Sequence, residues 1–311
     1  MVNLVYMAKP IYGGWVTFTA HLCLKYNCDL FKIGKRTEKK KREYGYGVQY
    51  QNYRIDELLE KGKIIITAVD KHYWKYLHLF PKGTILVVHD PTELKGKENK
   101  IVELIHHFKI ITIRKTVQEF IKTEYNVDTD LLPHPFYEYP KTNASSDYYS
   151  LSISRIDFDK HTDLLLEANQ FIKDGDKKIQ IFGAENRLYV HHKLGELNFY
   201  QYWKGKFSKD YPLLFENKDI LKDTRFVVDM STIKHDGGGS QYTFLEAIYQ
   251  GCVLILHRDW VNQGSIFQEG VNCLAAETPE ELSNILTNST NLDAIVSQSR
   301  KLLEPHLQVC W

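Results

Sequence analysis

Short apolar runs rich in β-branched residues recur along the chain, separated by longer stretches whose apolar positions follow helical spacing. The runs Val2–Met7, Ile64–Val69, Ile85–His89 and Ile110–Ile113 predict four strands, and Leu151–Ser154, Ile179–Phe182, Phe226–Asp229 and Val253–Leu256 predict four more. Ile64-Ile65-Ile66 and Val253-Leu254-Ile255-Leu256 are apolar at consecutive positions. That is the pattern of a parallel strand covered on both faces. Between the strands, Leu164, Leu165, Ala168, Phe171 and Ile172 are expected to share one helical face, as are Phe244, Leu245 and Ile248. Alternation of strand and helix at this spacing predicts an α/β fold built from doubly wound parallel sheets.

The rhythm breaks once. Pro133, Pro135 and Pro140 are followed by Thr142-Asn143-Ala144-Ser145-Ser146-Asp147, a proline-rich and then small-polar composition that reads as a linker. A boundary near residues 136–149 gives two Rossmann-like domains, 1–138 and 148–295. Residues 296–311 are expected to form a C-terminal helix that packs back toward the first domain. A length of 311 residues agrees with two domains.

Composition narrows the possible partners. The 40 Lys and Arg nearly cancel the 39 Asp and Glu, so no global field draws in nucleic acid or an anionic membrane, and such attraction must come from local patches. No apolar stretch approaches the ~20 residues that cross a bilayer, and Met1-Val2-Asn3-Leu4 runs into a strand without a signal-peptide pattern. Five cysteines, with no C-x-x-C pair, argue against a disulfide scaffold or zinc ribbon and fit a reducing, cytoplasmic setting. The histidines form no ligand motif, and His106-His107 and His191-His192 read as helical surface pairs. No metal site is expected.

Five segments could carry chemistry. Gly13-Gly14 follows the first strand and opens a helix, where free N–H groups favour anions; it is equally a plain strand-to-helix turn. Ser154-Arg155-Ile156-Asp157-Phe158-Asp159-Lys160 ends a strand at the edge where parallel sheets bind ligands, yet its cations could simply pair with Asp157 and Asp159. His235-Asp236-Gly237-Gly238-Gly239-Ser240 is a loop able to wrap a phosphate or sugar. The helix after it carries Glu246 among apolar neighbours, which suits an engaged carboxylate more than a free one. His89, at a strand end, could polarise a reacting group or be a satisfied structural imidazole. Lys35, Arg36, Lys39, Lys40, Lys41 and Arg42 form the one dense basic cluster, with Tyr44, Tyr46, Tyr50 and Tyr53 nearby. It suits nucleic-acid phosphates and bases, or reads as a solvated loop.

In this order the pieces resemble the GT-B glycosyltransferases, specifically the retaining group that uses nucleotide-sugar donors. The resemblance runs from Gly13-Gly14 through His89 and Leu132-Pro133-His134-Pro135 to Arg155 and Lys160. It continues with Ile179-Gln180-Ile181-Phe182-Gly183, Glu246-Ala247, Gly251-Cys252-Val253-Leu254-Ile255 and Glu269-Gly270-Val271-Asn272-Cys273-Leu274. It implies two Rossmann-like domains facing across a cleft, with a nucleotide sugar, most often UDP-linked, as co-substrate and no bound metal or cofactor. Arg155 and Lys160 would clamp the diphosphate, Glu246 would hold the ribose, and His89 would lie opposite the transferred sugar. Gly13, Gly14, Gly183, Asp236, Gly237, Gly238, Gly239 and Ser240 would complete the donor site. The family has two glutamates eight positions apart. Here the first position is Gly238, with Asp236 or His235 as substitutes.

The resemblance leaves the acceptor open. The reading taken first is a hydroxymethylated base in double-stranded DNA, as in the DNA-modifying glycosyltransferases of tailed phages, with Lys35, Arg36 and Lys39–Arg42 on the phosphates. The alternative is a soluble or lipid-linked glycan precursor. A different class, a nucleotide-binding protein of this fold without turnover, draws its support from Gly238.

Overall fold

The residues between Ile64 and Val69 are all buried, and so are those between Val253 and His257, as expected of strands covered on both faces. Burying one such Ile or Val side chain stabilises a fold by about 1.5–3 kcal/mol, so these strands anchor their sheets. The computed structural model describes residues 2–10, 13–140, 147–206, 220–232, 241–262 and 265–311. They divide into two compact units. One comprises the chain up to Glu138 together with Pro305–Trp311; the other runs from Tyr139 to Glu304.

In the first unit, β1 (Asn3–Met7), β2 (Asp29–Ile33), β3 (Arg42–Gly45), β4 (Val48–Tyr53), β5 (Ile64–Val69), β6 (Ile85–Val88), β7 (Lys109–Thr112) and β8 (Asp130–Leu131) form one sheet. Its order is β3-β4-β2-β1-β5-β6-β7-β8. Every pairing is parallel except that of β3 with β4, which form an antiparallel hairpin. The sequence pattern predicts four parallel strands here, and the sheet has eight with one antiparallel pair. The additional strands lie toward the edges, where one face or one side meets water and polar residues are tolerated. Helix α1 (Gly14–Tyr26) follows β1 and buries Val16 through Cys23. The core is drawn from Val5, Met7, Ile66, Leu86, Val88 and Ile110, with Val117 and Ile121 from the helix Lys115–Tyr125.

Residues Pro305–Trp311 pack into this same unit. Trp311 donates its indole N–H to the Pro133 carbonyl at 3.2 Å and meets Phe18 edge-on at 5.1 Å. His306 bonds the His134 carbonyl at 2.8 Å, and the Phe136 amide donates to the His306 carbonyl.

In the second unit, β9 (Ser150–Ile153), β10 (Gln180–Phe182), β11 (Trp203–Gly205), β12 (Phe226–Asp229), β13 (Val253–His257) and β14 (Leu274–Ala276) form a wholly parallel sheet of order β11-β10-β9-β12-β13-β14. Four strands are predicted and six are found; the two extra, β11 and β14, are the sheet's edges and only three residues long. The helix Thr162–Phe171 turns Leu165 and Ala168 inward, but Phe171, expected on that face, is 52% exposed. Phe244, Leu245 and Ile248 are buried. His106 and His107 lie in a turn after the helix Lys100–Glu103, not on a helix, and His107 Nε2 bonds the Phe80 carbonyl at 2.7 Å. Among the described residues, no helix is long and apolar enough to cross a membrane.

Candidate functional site

Parallel sheets present ligand-binding loops at the carboxyl ends of their strands, and each unit gathers its reactive side chains there. In the first unit Gly13 precedes α1 with φ +101°, a conformation open to glycine, and its carbonyl accepts from the amides of Val16 and Thr17. Gly13 and Gly14 are exposed. His89 follows β6 and is buried, with Nε2 at 2.7 Å from the Thr67 carbonyl. A carbonyl can only accept, so Nε2 carries the proton and Nδ1 keeps a lone pair. Burial drives the His89 pKa down to about 4, leaving the imidazole neutral near pH 7.

Beside His89 lies a residue that the sequence reading does not single out. Glu93 accepts the Trp15 indole N–H at 2.9 Å and the His89 amide N–H at 3.3 Å. Burial pushes its carboxyl up to about 8. Asp90 caps the short turn Pro91–Leu94 through the Thr92 amide, and Arg114, after β7, is 3.6 Å from Asp90. The sequence offers only a local reading of it, since Asp90-Pro91-Thr92-Glu93 has the spacing of a capping box. Glu93 instead reaches the amide one residue before the cap.

In the second unit the turn after β9 carries both predicted cations, in opposite surroundings. Arg155 is 66% exposed along its side chain and pairs with Asp157 at 3.3 Å and Asp159 at 3.5 Å. Lys160 is buried, and its ammonium donates to Ser231 Oγ at 3.1 Å. Ser231 in turn donates its hydroxyl and its amide to Asp229, at the end of β12, and its carbonyl accepts the Trp260 indole N–H at 3.0 Å. The next residue, His161, adopts a left-handed conformation (φ 47°), reaches Thr232 Oγ1 at 3.4 Å and stacks near His257. Glu246 is 1% exposed on the helix Gln241–Gln250, as its apolar flanks suggest.

Gly183 has a structural reason to be glycine. At φ +149°, a Cβ there would sit 1.7 Å from the Ser154 carbonyl oxygen, so only a bare backbone lets the Arg155–Lys160 turn approach β10. Asp236, Gly237, Gly238, Gly239 and Ser240, with His235, lie outside the described residues.

No protein-family model matches the sequence, and no curated protein does. Solved structures match along nearly its whole length. Anabaena HepE in complex with UDP and glucose is 12% identical with a TM-score of 0.65, over 98% of this chain and 95% of that one. The lipopolysaccharide outer core galactosyltransferase WaaB is 14% identical with a TM-score of 0.54, over 99% and 96%. AviGT4, a glycosyltransferase involved in avilamycin A biosynthesis, is 12% identical with a TM-score of 0.55, over 98% and 93%.

The fold is GT-B. This is the α/β class of two Rossmann-like parallel-sheet domains expected from the sequence, and likeness at this identity carries the fold alone. Within the GT-B frame, the basic cluster is not one loop: Lys35, Arg36, Lys39 and Lys40 connect β2 to the hairpin, Lys41 abuts it and Arg42 begins β3. All six are exposed. Arg42 holds Glu38 through two 2.8 Å bonds, which lower the Glu38 pKa, and Lys41 is 3.5 Å from Asp29. The tyrosines expected to meet bases are engaged elsewhere. Tyr44 is buried edge-on to Tyr6, Tyr53 packs on Phe31, Tyr46 bonds Thr17, and Lys32 lies over the Tyr50 ring. Among the described residues, no group of three or more His, Cys, Asp and Glu side chains could hold a metal ion.

Proposed function

We propose that the protein is a glycosyltransferase that takes its sugar from a uridine diphosphate donor. The observation that carries this reading is the full-length likeness to HepE, a structure that holds UDP and glucose. The second sheet of this chain adds a buried ammonium, Lys160, at its carboxyl edge. Transfer builds negative charge on the departing diphosphate and positive character on the sugar. Preorganised cations stabilise that leaving group most effectively where water is excluded. In this reading Lys160 supplies the fixed charge, and Arg155 exchanges Asp157 and Asp159 for phosphate oxygens. Glu246 accepts from the ribose hydroxyls, His89 contacts the transferred sugar, and Gly13, Gly14 and residues 236–240 complete the donor site. Gly183 acts through the turn it admits.

The test is nucleotide release from a panel of UDP-sugars, followed by calorimetry with UDP. Measurable release from at least one donor is expected. Release from none, with UDP still bound, would replace the reading with a nucleotide-binding protein that lacks turnover. Retained anomeric configuration and activity in a chelator are further parts of the reading, checked by proton NMR of the product and an EDTA control. The setting we propose is cytoplasmic, where the five thiols stay reduced.

For the acceptor, the likeness to WaaB, a lipopolysaccharide outer core galactosyltransferase, supports a hydroxyl on a glycan. The second reading, duplex DNA carrying a hydroxymethylated base, draws only on a basic surface that could meet phosphates. Arg36, Lys39, Lys40 and Arg42 line an open concavity of about 620 Å³ with Thr37 and Glu38, and Lys35 and Lys41 stand exposed nearby. Mass spectrometry of hydroxymethylated duplex DNA and of oligosaccharides after incubation with each donor separates the two. Neutralising Lys39, Lys40 and Lys41 should flatten the salt dependence of duplex binding, each lost phosphate contact removing about 0.9 from its slope. An unchanged slope removes the DNA reading.

A further inference from the structure

The carboxyl group of Glu93 joins two segments of the first unit that the chain keeps far apart. Its Oε1 accepts the indole N–H of Trp15, in the first turn of α1 directly after Gly13-Gly14, at 2.9 Å. Both oxygens lie 3.3 Å from the amide nitrogen of His89, at the end of β6. The imidazole of His89 is fixed from its other side by Thr67 and by an edge contact with Phe18 at 4.7 Å, and the Trp15 ring lies 6.4 Å from it. Glu93 is held in its turn as well: Asp90 caps the turn, and Asn99 donates its side-chain amide to the Glu93 carbonyl at 2.8 Å. A carboxyl with these partners sets the spacing between the glycine turn and the imidazole.

We propose that Glu93 is a positioning residue for sugar transfer, clamping the Gly13-Gly14-Trp15 turn to His89 so that both face the reacting sugar at fixed separation. The inference rests on the glycosyltransferase reading, in which His89 contacts that sugar. Glu93 itself acts through Trp15 and the His89 main chain. A capping role alone would need only the local turn; the bond to Trp15, 78 residues away in sequence, is the part that capping does not explain.

The clamp is titratable. Burial holds the carboxyl neutral until about pH 8, against the two donated hydrogen bonds, which favour its charged form. The charged groups acting on it are Asp90 from its own turn and Arg114 from beyond β7. α1 presents the uncharged indole, and the His89 imidazole is neutral in this range. Ionisation strengthens both bonds to the carboxylate, so the clamp tightens as pH rises through 8.

The test compares wild type with E93Q, E93A and W15F in steady-state transfer from a UDP-sugar across neutral and alkaline pH, with tryptophan fluorescence recorded over the same range. E93A and W15F are each expected to lower kcat about tenfold, without additivity in the double variant, while KM for the donor stays within about twofold. Wild-type rate and fluorescence should inflect together near pH 8, and E93Q should lack both inflections. Wild-type kcat in E93A, or an inflection of rate retained in E93Q, overturns the assignment. If E93A does not fold, the pH profile of E93Q decides on its own. Should wild type transfer no sugar while its fluorescence step is present and lost in E93Q, the clamp stands and the glycosyltransferase reading falls.

Discussion

Replacing Gly183 by alanine tests whether the Arg155–Lys160 turn is held as described. The added methyl would lie 1.7 Å from the Ser154 carbonyl oxygen and 2.8 Å from its carbon. An ordinary carbon–oxygen contact is ~3.3 Å or longer, so the two strands' ends must part by roughly 1.6 Å. On the Gly183 side the backbone is pinned: its N–H donates to the Gly205 carbonyl at 2.9 Å, and its carbonyl accepts the Trp203 indole N–H at 2.9 Å. Ser154 is bonded across as well, its N–H to the Phe182 carbonyl and that of Ile156 to the Ala184 carbonyl, so the parting strains both sides of the turn. A φ of +149° also lies where alanine is strained. Backbone strain of about 1–3 kcal/mol and overpacking of similar size together predict a loss of about 3 kcal/mol or more. For a unit the size of the one that holds Gly183, Tyr139 to Glu304, that lowers its melting temperature by roughly 6–12 °C. Circular dichroism melting measures the first effect, and calorimetric titration with UDP measures the second, a weakened diphosphate site. A variant that melts within about 1 °C of wild type and binds UDP equally well would refute the close approach of Ser154 to Gly183.

Arg155→Ala should leave stability within about 0.5 kcal/mol, because its ion pairs are exposed, yet weaken UDP binding by about 1 kcal/mol or more; urea unfolding and calorimetry check the two halves. Lys160→Met should weaken UDP binding more than tenfold, a charge-assisted contact being worth about 1.5–3 kcal/mol, with stability held or raised. Equal affinity in either variant would remove that residue from the diphosphate site. For pH, His21 is 1% exposed, accepts the Tyr137 amide on Nδ1, and has its pKa lowered by burial to about 3. Its unfolded value is about 6.5, so the unfolded chain binds the extra proton and stability falls as pH drops below that value; between pH 7 and 5 the loss is about 2 kcal/mol. Urea unfolding at both pH values should show a shallower dependence in H21N, whose amide oxygen can still accept from Tyr137; an unchanged dependence would contradict the neutral buried imidazole.

The sheets were legible where their strands are covered on both faces. Ile64–Val69 and Val253–Leu256 announce themselves because nothing polar interrupts them, and both are buried throughout. Arg42-Glu43-Tyr44-Gly45 and Val48-Gln49-Tyr50-Gln51-Asn52-Tyr53 escape the same criterion. They sit at the edge of the first sheet, where alternate side chains meet water and only Tyr44 and Val48 are buried. The charge run before them conceals the hairpin further, since Arg42 is at once a member of the basic cluster and the first residue of β3. His89, Lys160 and Glu246 were singled out by the resemblance more than by residue type, since a strand-end imidazole or a cation on a turn reads equally as structural; all three are buried. Glu93 was hidden by its spacing to Asp90, which a helix cap accounts for. Its partner Trp15 is remote in sequence, and no local pattern relates the two.

Arg155 and Lys160 were indistinguishable as letters, two cations on one turn, but their surroundings give them different physical tasks. The guanidinium is compensated in place by Asp157 and Asp159 while remaining in water, so holding it costs little and it can exchange partners without crossing a desolvation barrier. The ammonium of Lys160 is taken out of water and bonds the Ser231 hydroxyl, which in turn donates to the Asp229 carboxylate. Placing a charge in such surroundings is unfavourable unless it is fully paired. A methionine of similar volume would pack there at lower cost. In the proposed reading, an ammonium held at the carboxyl edge of this parallel sheet gains a direct counter-charge when a donor diphosphate arrives. The exposed arginine on the same turn can then meet that anion by giving up two weak contacts.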